Sequence, residues 1–473
     1  MEIKEKESNY GEISDLKKPR FGFIYVQTAI LFLAATSEFF FRNHVGVALV
    51  EMNTPHPNAV SFNWTFHEQQ IILSSFNWGY ILMQYPGGYL AYRYGAHPVL
   101  LTSLFGASIV SFLTPHIVMW GDWQGYCLTR ILQGLVQGVL WPSVIGHLSK
   151  WSPREDRAIH KMLMSSGSYC GLTLSMGLTG KIAGSSMGWP AISYVCGCLG
   201  LFTAILWGIF GASSPSASRF VSKEEKMFII NKLMEENRRD ISTGKKQPFP
   251  FKQAFSSTAF LSLFVVLACQ SFGMCIIYSE LPLYLHNILK MDLKDNAVLT
   301  ALPVIFGWIM VYVFLILGQF IMKRGILSLR GLRKSYNGFA VILPIIIFIA
   351  LGFIGEEQKM LAIILIILCV GFSSSYDIAY YLNIMDLSPN FSSVIVGITN
   401  TAMTAMELVT PIVVSMVIKE DKEDRAKWQL VFAIGAALTT FGGLLYHIFG
   451  KVEVEPWDNP KSDQDKEEEM QKL

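Results

Sequence analysis

The chain has 473 residues, 52% of them hydrophobic and 16% charged, with a net charge of +2; an ordinary soluble domain carries roughly 25% charged residues. That much apolar surface excludes a water-soluble globular protein, and so small a net charge gives no reason to expect a nucleic-acid partner.

Taken in chain order, the amino-terminal segment 1–21, "MEIKEKESNYGEISDLKKPR" and Phe21, is polar and mixed in charge. It lacks the apolar core of a cleavable signal peptide, so the first apolar stretch is expected to act as the signal anchor. Twelve stretches then approach the roughly 20 residues that cross a hydrocarbon layer about 30 Å thick. They lie near 22–50, 69–91, 98–120, 123–147, 162–184, 188–212, 258–285, 296–322, 335–355, 359–384, 393–418 and 428–449. The expected class is an all-α polytopic membrane protein. Two six-helix halves, 22–212 and 258–449, are separated by a central loop, 213–257, and followed by a disordered acidic tail, 450–473.

With both termini cytoplasmic, inner segments hold 28 Lys and Arg residues and outer segments 8, Arg42 and Arg130 lying within spans. This is the bias of the positive-inside rule. Inside the central loop, "SKEEKMFIINKLMEENRR" begins with Ser222 as a cap and reads as an amphipathic helix, either against the membrane surface or simply solvated. The seven cysteines all fall within spans, so a disulfide framework is not expected. Asn63, in "NWT" of the first outer loop, fits the glycosylation pattern, whereas Asn390 in "NFS" falls on the inner side.

The charges within spans are the sharpest signal. At about 1.5 Å per residue, Arg42 lies roughly 12 Å and Arg130 roughly 10 Å below the outer surface. Intramembrane ionisable groups mark functional sites unless paired structurally. The bland alternative for Arg42 is a pair with Glu38 four residues earlier, on the same helix face. Arg130, Gln133, Gln137 and Trp141 form one polar stripe on the fourth span, and Asn400, Thr404 and Glu407 another on the eleventh. Together these describe a central cleft suited to a small anion, with Arg42, Arg130 and Gln137 as substrate-binding candidates. A coupled cation, sodium or proton, would be sensed by Glu38, Glu407 and Asn400, with Thr401 and Thr404 adding oxygens. Asp377, near the inner end of the tenth span, is a gating candidate. No cofactor or resident metal is expected, since the nine histidines include no ligand spacing such as H-x-x-x-H on a polar face. A polytopic enzyme is disfavoured for the same reason. A passive anion channel or a transport-dead sensor could keep the same arginines.

Three segments then resemble a known family: "FNWGYILMQYPGGYLAYRYG" (76–95), "RILQGLVQGVLWPSVIGHLSKWSPREDRA" (130–158) and "GITNTAMTAMELVTPIVV" (397–414). They are similar to the sodium–phosphate cotransporter, sialin and vesicular glutamate transporter family of the major facilitator superfamily. The likeness runs from the first span to "EPWDNP". It implies two pseudo-symmetric six-helix bundles, alternating access, and anion transport coupled to a cation or to membrane potential. It also implies roles in anion handling at Arg42 and Arg130. The chain departs from the glutamate branch at Leu73, Ile145 and Gln270, where that branch has two histidines and an arginine. It has Gln137 where the glutamate and sialic acid branches carry an acid, and Gln133 at the position of the sialic acid branch's second acid. The expectation is therefore a phosphate-cotransporter-like member, placed in the plasma membrane rather than a vesicle. The alternative is an organic anion carrier driven by protons or voltage.

Overall fold

The computed structural model describes residues 22–53, 60–185, 187–235, 247–280, 284–285, 288–290, 293–419 and 423–458. Sixteen α-helices are named here: α1 (Phe23–Asn43), α2 (Val45–Met52), α3 (Phe66–Tyr94), α4 (Ala96–Gln137), α5 (Leu140–Trp151), α6 (Arg154–Ala183), α7 (Pro190–Phe210), α8 (Lys223–Glu235), α9 (Phe251–Ser256), α10 (Thr258–Cys275), α11 (Leu293–Lys323), α12 (Leu329–Phe353), α13 (Lys359–Ser373), α14 (Leu382–Leu387), α15 (Ser392–Ile418) and α16 (Arg425–Phe449). The architecture is the twelve-helix arrangement expected from the sequence, with some spans divided and others fused.

The first span is α1 continued by α2 across a one-residue interruption at His44. The third and fourth spans are the two helical parts of α4, separated by a kink at Asp122, whose φ of 51° is strained for a residue with a Cβ. The Trp64 indole donates to the Asp122 carboxylate at 2.6 Å and pins this corner. Exposed Leu82, Phe105, Phe202, Ile316, Ile342 and Leu444 face outward around the bundle, as lipid contact requires.

Close helix approach rests on glycine. A Cβ on Gly79 of α3 would strike the Ile131 carbonyl of α4, and one on Gly134 of α4 would strike the Phe76 carbonyl of α3. Small residues let the two backbones touch where lipid offers no hydrophobic drive for association. In the first half α1 packs on α6 and α4 on α7; in the second, α10 and α12 pack on α16, and α11 on α13.

Both described chain ends lie at one end of the bundle, which is called here the terminal end. Glu225 of α8 reaches the first turn of α1, accepting from the Phe23 and Ile24 amides at 2.8 and 3.1 Å. A carboxylate there satisfies free N–H groups and the positive end of the helix dipole. Ile229 and Glu225 of α8 are buried against the bundle, so this face of the amphipathic helix covers protein.

The expected disordered tail requires correction over 450–458. There the Glu455 amide donates to the Leu387 carbonyl at 2.9 Å, Trp457 packs edge-on to Phe249 and Phe260, and Asp458 accepts from Ser388 and Asn390. The aromatic Trp457 has a pocket to fill, which outweighs the charged composition that suggested disorder. Residues 459–473 and 1–21 lie outside the described residues.

Candidate functional site

The halves meet tightly at the terminal end. Every residue of α15 from Ser392 to Asn400 is buried, against α3 and α5 of the other half. Gly88 of α3 sits under the Ser393 carbonyl, and a Cβ on Gly397 of α15 would lie 2.5 Å from the Gln84 carbonyl. Charges reinforce this closure. Lys161 of α6 is paired with Asp377, and its ammonium also lies over the Tyr381 ring at 4.9 Å. Asp386 of α14 accepts from Arg333 of its own half at 2.9 and 3.2 Å and from Arg157 of the other half at 3.5 Å, with Arg154 at 3.8 Å. Deeper in, the Trp308 indole of α11 donates to Ser166 of α6 at 3.0 Å and stacks on Tyr169 with centroids 5.9 Å apart.

Toward the other end Val409, Ile412 and Met416 of α15 are exposed, as are Leu174 and Leu178 of α6. Between the two halves lies Arg42 of α1. Its Nη2 is 3.4 Å from the Asn77 side-chain oxygen and 3.4 Å from Glu407 Oε2 of the opposite half. The guanidinium is flanked by the Phe76 and Tyr80 rings at 5.4 and 5.3 Å, a placement that orients it without neutralising it. The side chains of Arg42 and Glu407 are 28% and 35% exposed, so this pair, unlike those below it, is within reach of solvent.

Each residue singled out from the sequence has a definite place. Arg42 takes its ion pair with Glu407 rather than with Glu38. Glu38 is buried one turn below and accepts from the Tyr80 hydroxyl at 3.4 Å. Arg130, expected beside Arg42 as a substrate ligand, is buried in this structure, and it donates to the Phe41 and Arg42 carbonyls at 2.9 and 3.1 Å and to Gln133 at 2.7 Å. The interruption at His44 frees those carbonyls, and in an apolar surrounding they require a donor. Arg130 thus holds the backbone that carries Arg42. The depth match between the two arginines was real, but the partner of Arg130 is main chain.

Gln137 is buried. Asn400 accepts from the Tyr381 hydroxyl at 3.1 Å, Asp377 is engaged by Lys161, and Asn63 is exposed in the loop between α2 and α3. Leu73 is exposed, Ile145 fully buried and Gln270 buried.

Sequence reasoning missed Lys161, Asp386, Arg333 and the cleft residues Asn77, Tyr80 and Ser271. Lys161 lies one residue before the fifth apolar stretch, 162–184, and so reads as a loop cation. Its spacing of four from Arg157 in "REDRAIHK" places both on one helix face, and that was the available signal. Asn77 and Ser271 carry no pattern that marks them, being single polar residues in apolar runs.

Comparison with known proteins agrees with this arrangement. The model of the Major Facilitator Superfamily matches residues 31–411. A provisionally named inorganic phosphate cotransporter of Drosophila ananassae is 31% identical, over 86% of this chain and 83% of its own. Vesicular glutamate transporter 3 of Danio rerio is 29% identical over 93% of this chain and 75% of its own. Vesicular glutamate transporter 2 of Homo sapiens is 28% identical over 98% and 79%. Among solved structures, the proton:xylose symporter XylE superposes with a TM-score of 0.69 at 15% identity, covering 91% of this chain and 96% of that one. A bacterial homologue of the iron transporter ferroportin gives 0.67 at 12% identity, covering 91% and 99%. These two show the fold alone. The chain is a multi-pass membrane transporter and not an enzyme, and it belongs to the Major Facilitator Superfamily, in the family of the sodium–phosphate cotransporters, sialin and the vesicular glutamate transporters.

Proposed function

We propose that the protein is a secondary active transporter that carries inorganic phosphate together with sodium by alternating access of its central cleft. The observation that carries this reading is the solvent-reachable guanidinium of Arg42 between the two halves. Arginine stays charged at every relevant pH and presents a fork that matches phosphate or carboxylate oxygens. A dicarboxylate such as glutamate asks for a second free cation. Among the described residues of the cleft the other candidates are committed, Lys161 to Asp377 and Arg130 to backbone carbonyls. One available arginine favours a small anion.

Lys and Arg are concentrated toward the terminal end, and this supports placing that end, with both termini, in the cytoplasm. The cleft then opens outward, the state that loads substrate from outside, and a plasma membrane provides the inward sodium gradient. Asn63, exposed on the outer side, is proposed to carry the glycan. A mobility shift on deglycosylation that disappears in Asn63→Gln tests it.

The decisive experiment is uptake of labelled phosphate into proteoliposomes, with and without an inward sodium gradient. Sodium-driven uptake that disappears in Arg42→Ala is the expected result. The second reading, an organic anion moved by a proton gradient or voltage, draws on the vesicular glutamate transporters among the relatives. Folded protein that takes up glutamate with voltage and ignores phosphate would replace the first reading with the second.

A further inference from the structure

We infer that Glu407, Ser271 and the Met403 carbonyl form a sodium site, and that its carboxylate is shared with Arg42 so that a bound anion completes the site for the cation. The inference rests on the proposed anion binding at Arg42 and adds the residues and linkage of the co-ion.

Two helices of the second half supply the oxygens. Ser271 of α10 has its hydroxyl 3.1 Å from the Met403 carbonyl and 3.4 Å from Glu407 Oε1, both on α15. A hard cation with oxygens at about 2.4 Å in octahedral array holds neighbouring oxygens about 3.4 Å apart. The two separations from Ser271 Oγ, now bridged by its own proton, are close to that size. Ser271 is buried, so the cluster is fixed before an ion arrives. Pro411 has no amide to donate to the carbonyl four residues earlier, that of Glu407; the Cys275 thiol donates to it at 3.6 Å instead, so this freed carbonyl stands beside the three oxygens of the site and is not one of them.

The linkage follows from the two oxygens of one carboxylate. Oε1 faces Ser271, while Oε2 is held by Arg42 in a single contact of 3.4 Å, not a bidentate clasp. While Arg42 balances Glu407, a cation gains little at the oxygen cluster. A phosphate that takes Arg42 leaves Glu407 with an uncompensated charge in a partly enclosed site, and sodium restores balance. Each ligand therefore strengthens the other to the same degree, as reciprocity requires. Glu38 stands apart from this cluster, buried and accepting from the Tyr80 hydroxyl.

The test is thermal unfolding of the purified full-length protein at constant pH and ionic strength, titrating sodium against choline with and without inorganic phosphate. For the native protein, phosphate should lower the half-saturating sodium concentration by about fivefold or more. Glu407→Gln should lose the sodium shift yet keep the phosphate shift, since the competitor for Arg42 is weakened. Ser271→Ala, a mild change, should raise half-saturating sodium by about tenfold. An undiminished sodium shift in Glu407→Gln, or half-saturation unaffected by phosphate when both ligands bind, overturns the inference. If sodium stabilises the native protein but not Glu407→Gln, and phosphate stabilises neither, the cation site stands and the choice of phosphate falls.

Discussion

The two ends of the interface between the halves differ in how they use charge. At the terminal end, Asp386 gathers arginines from both halves and Lys161 meets Asp377, all five of Asp386, Arg333, Arg157, Lys161 and Asp377 being buried. In the cleft, Arg42 and Glu407 share one long, part-exposed contact. Multiply bonded buried charges are costly to separate, whereas an exposed single contact is worth little and exchanges readily. On the proposed function, the difference separates a closure from a binding site within one interface: the closure is specified by geometry, while the cleft pair is left incomplete so that a ligand can finish it.

The strongest way to break this comparison is at Arg42. Arg42→Ala removes the only cation of the pair and should reduce anion uptake by at least about a hundredfold, the consequence of about 2.7 kcal/mol or more of lost interaction. Arg42→Lys keeps the charge but loses the fork, and should recover only part of the rate. Uptake by Arg42→Ala close to native would show that the cleft pair is not where the anion binds.

Next comes closure. Gly88→Leu puts a side chain where the Ser393 backbone now lies, so α3 and α15 cannot meet. The expected outcome is a population moved from the form closed at the terminal end to the form open there, seen as faster labelling of a cysteine placed at Asn400 from the terminal side and slower labelling from the other. An unchanged labelling pattern would mean that the glycine contact does not set the equilibrium.

At the charge cluster the expected effect is on stability, with transport affected less than in Arg42→Ala. Asp386→Asn leaves buried Arg333 and Arg157 without their shared carboxylate, and breaking such a group typically costs about 3–5 kcal/mol. Replacing the cleft carboxylate with Glu407→Gln should cost far less, since that group is part-exposed. Equal losses of thermal stability in the two variants would contradict the division between closure and binding site.

Much of the fold was legible because hydrocarbon imposes a length and a hydropathy that the sequence cannot disguise. The same clarity extended to Arg42 and Glu407, whose charges stand out against apolar neighbours. The backbone contacts of Arg130 were not legible for a physical reason: depth can be counted along a helix, but whether a guanidinium meets a carbonyl depends on the interruption at His44, and no residue in "FFFRNHVGVALV" announces that break. The pairing of Arg42 with Glu407 joins residues 365 positions apart, which helical spacing cannot reach, so the local partner Glu38 was the visible choice. Trp457 illustrates the converse: an aromatic residue beside an acidic run anchors a segment whose average composition reads as disordered.

That anchored segment supplies the mildest prediction. Asp458 is buried beneath the terminal end, outside the spans, and desolvation pushes its carboxyl up from 3.8 to about 6, against the lowering effect of hydrogen bonds from Ser388 and Asn390. A raised folded-state value means that the folded protein binds this proton more tightly than the unfolded chain does. Its stabilising contribution is therefore complete below pH 3.8 and is lost as pH rises through about 6. The shift of about two units corresponds to at most about 3 kcal/mol. The clip formed by 450–458 should thus be firmer at pH 5 than at pH 7.5, read as slower proteolysis after α16 at the lower pH with a protease active at both values. Asp458→Asn removes the titration while keeping a group that can accept from Ser388, so it should abolish the pH difference and leave the cleft reactions at Arg42 untouched. If the variant retains the native pH dependence, the titrating group lies elsewhere on the terminal end, and the tail is held by Trp457 and backbone contacts alone.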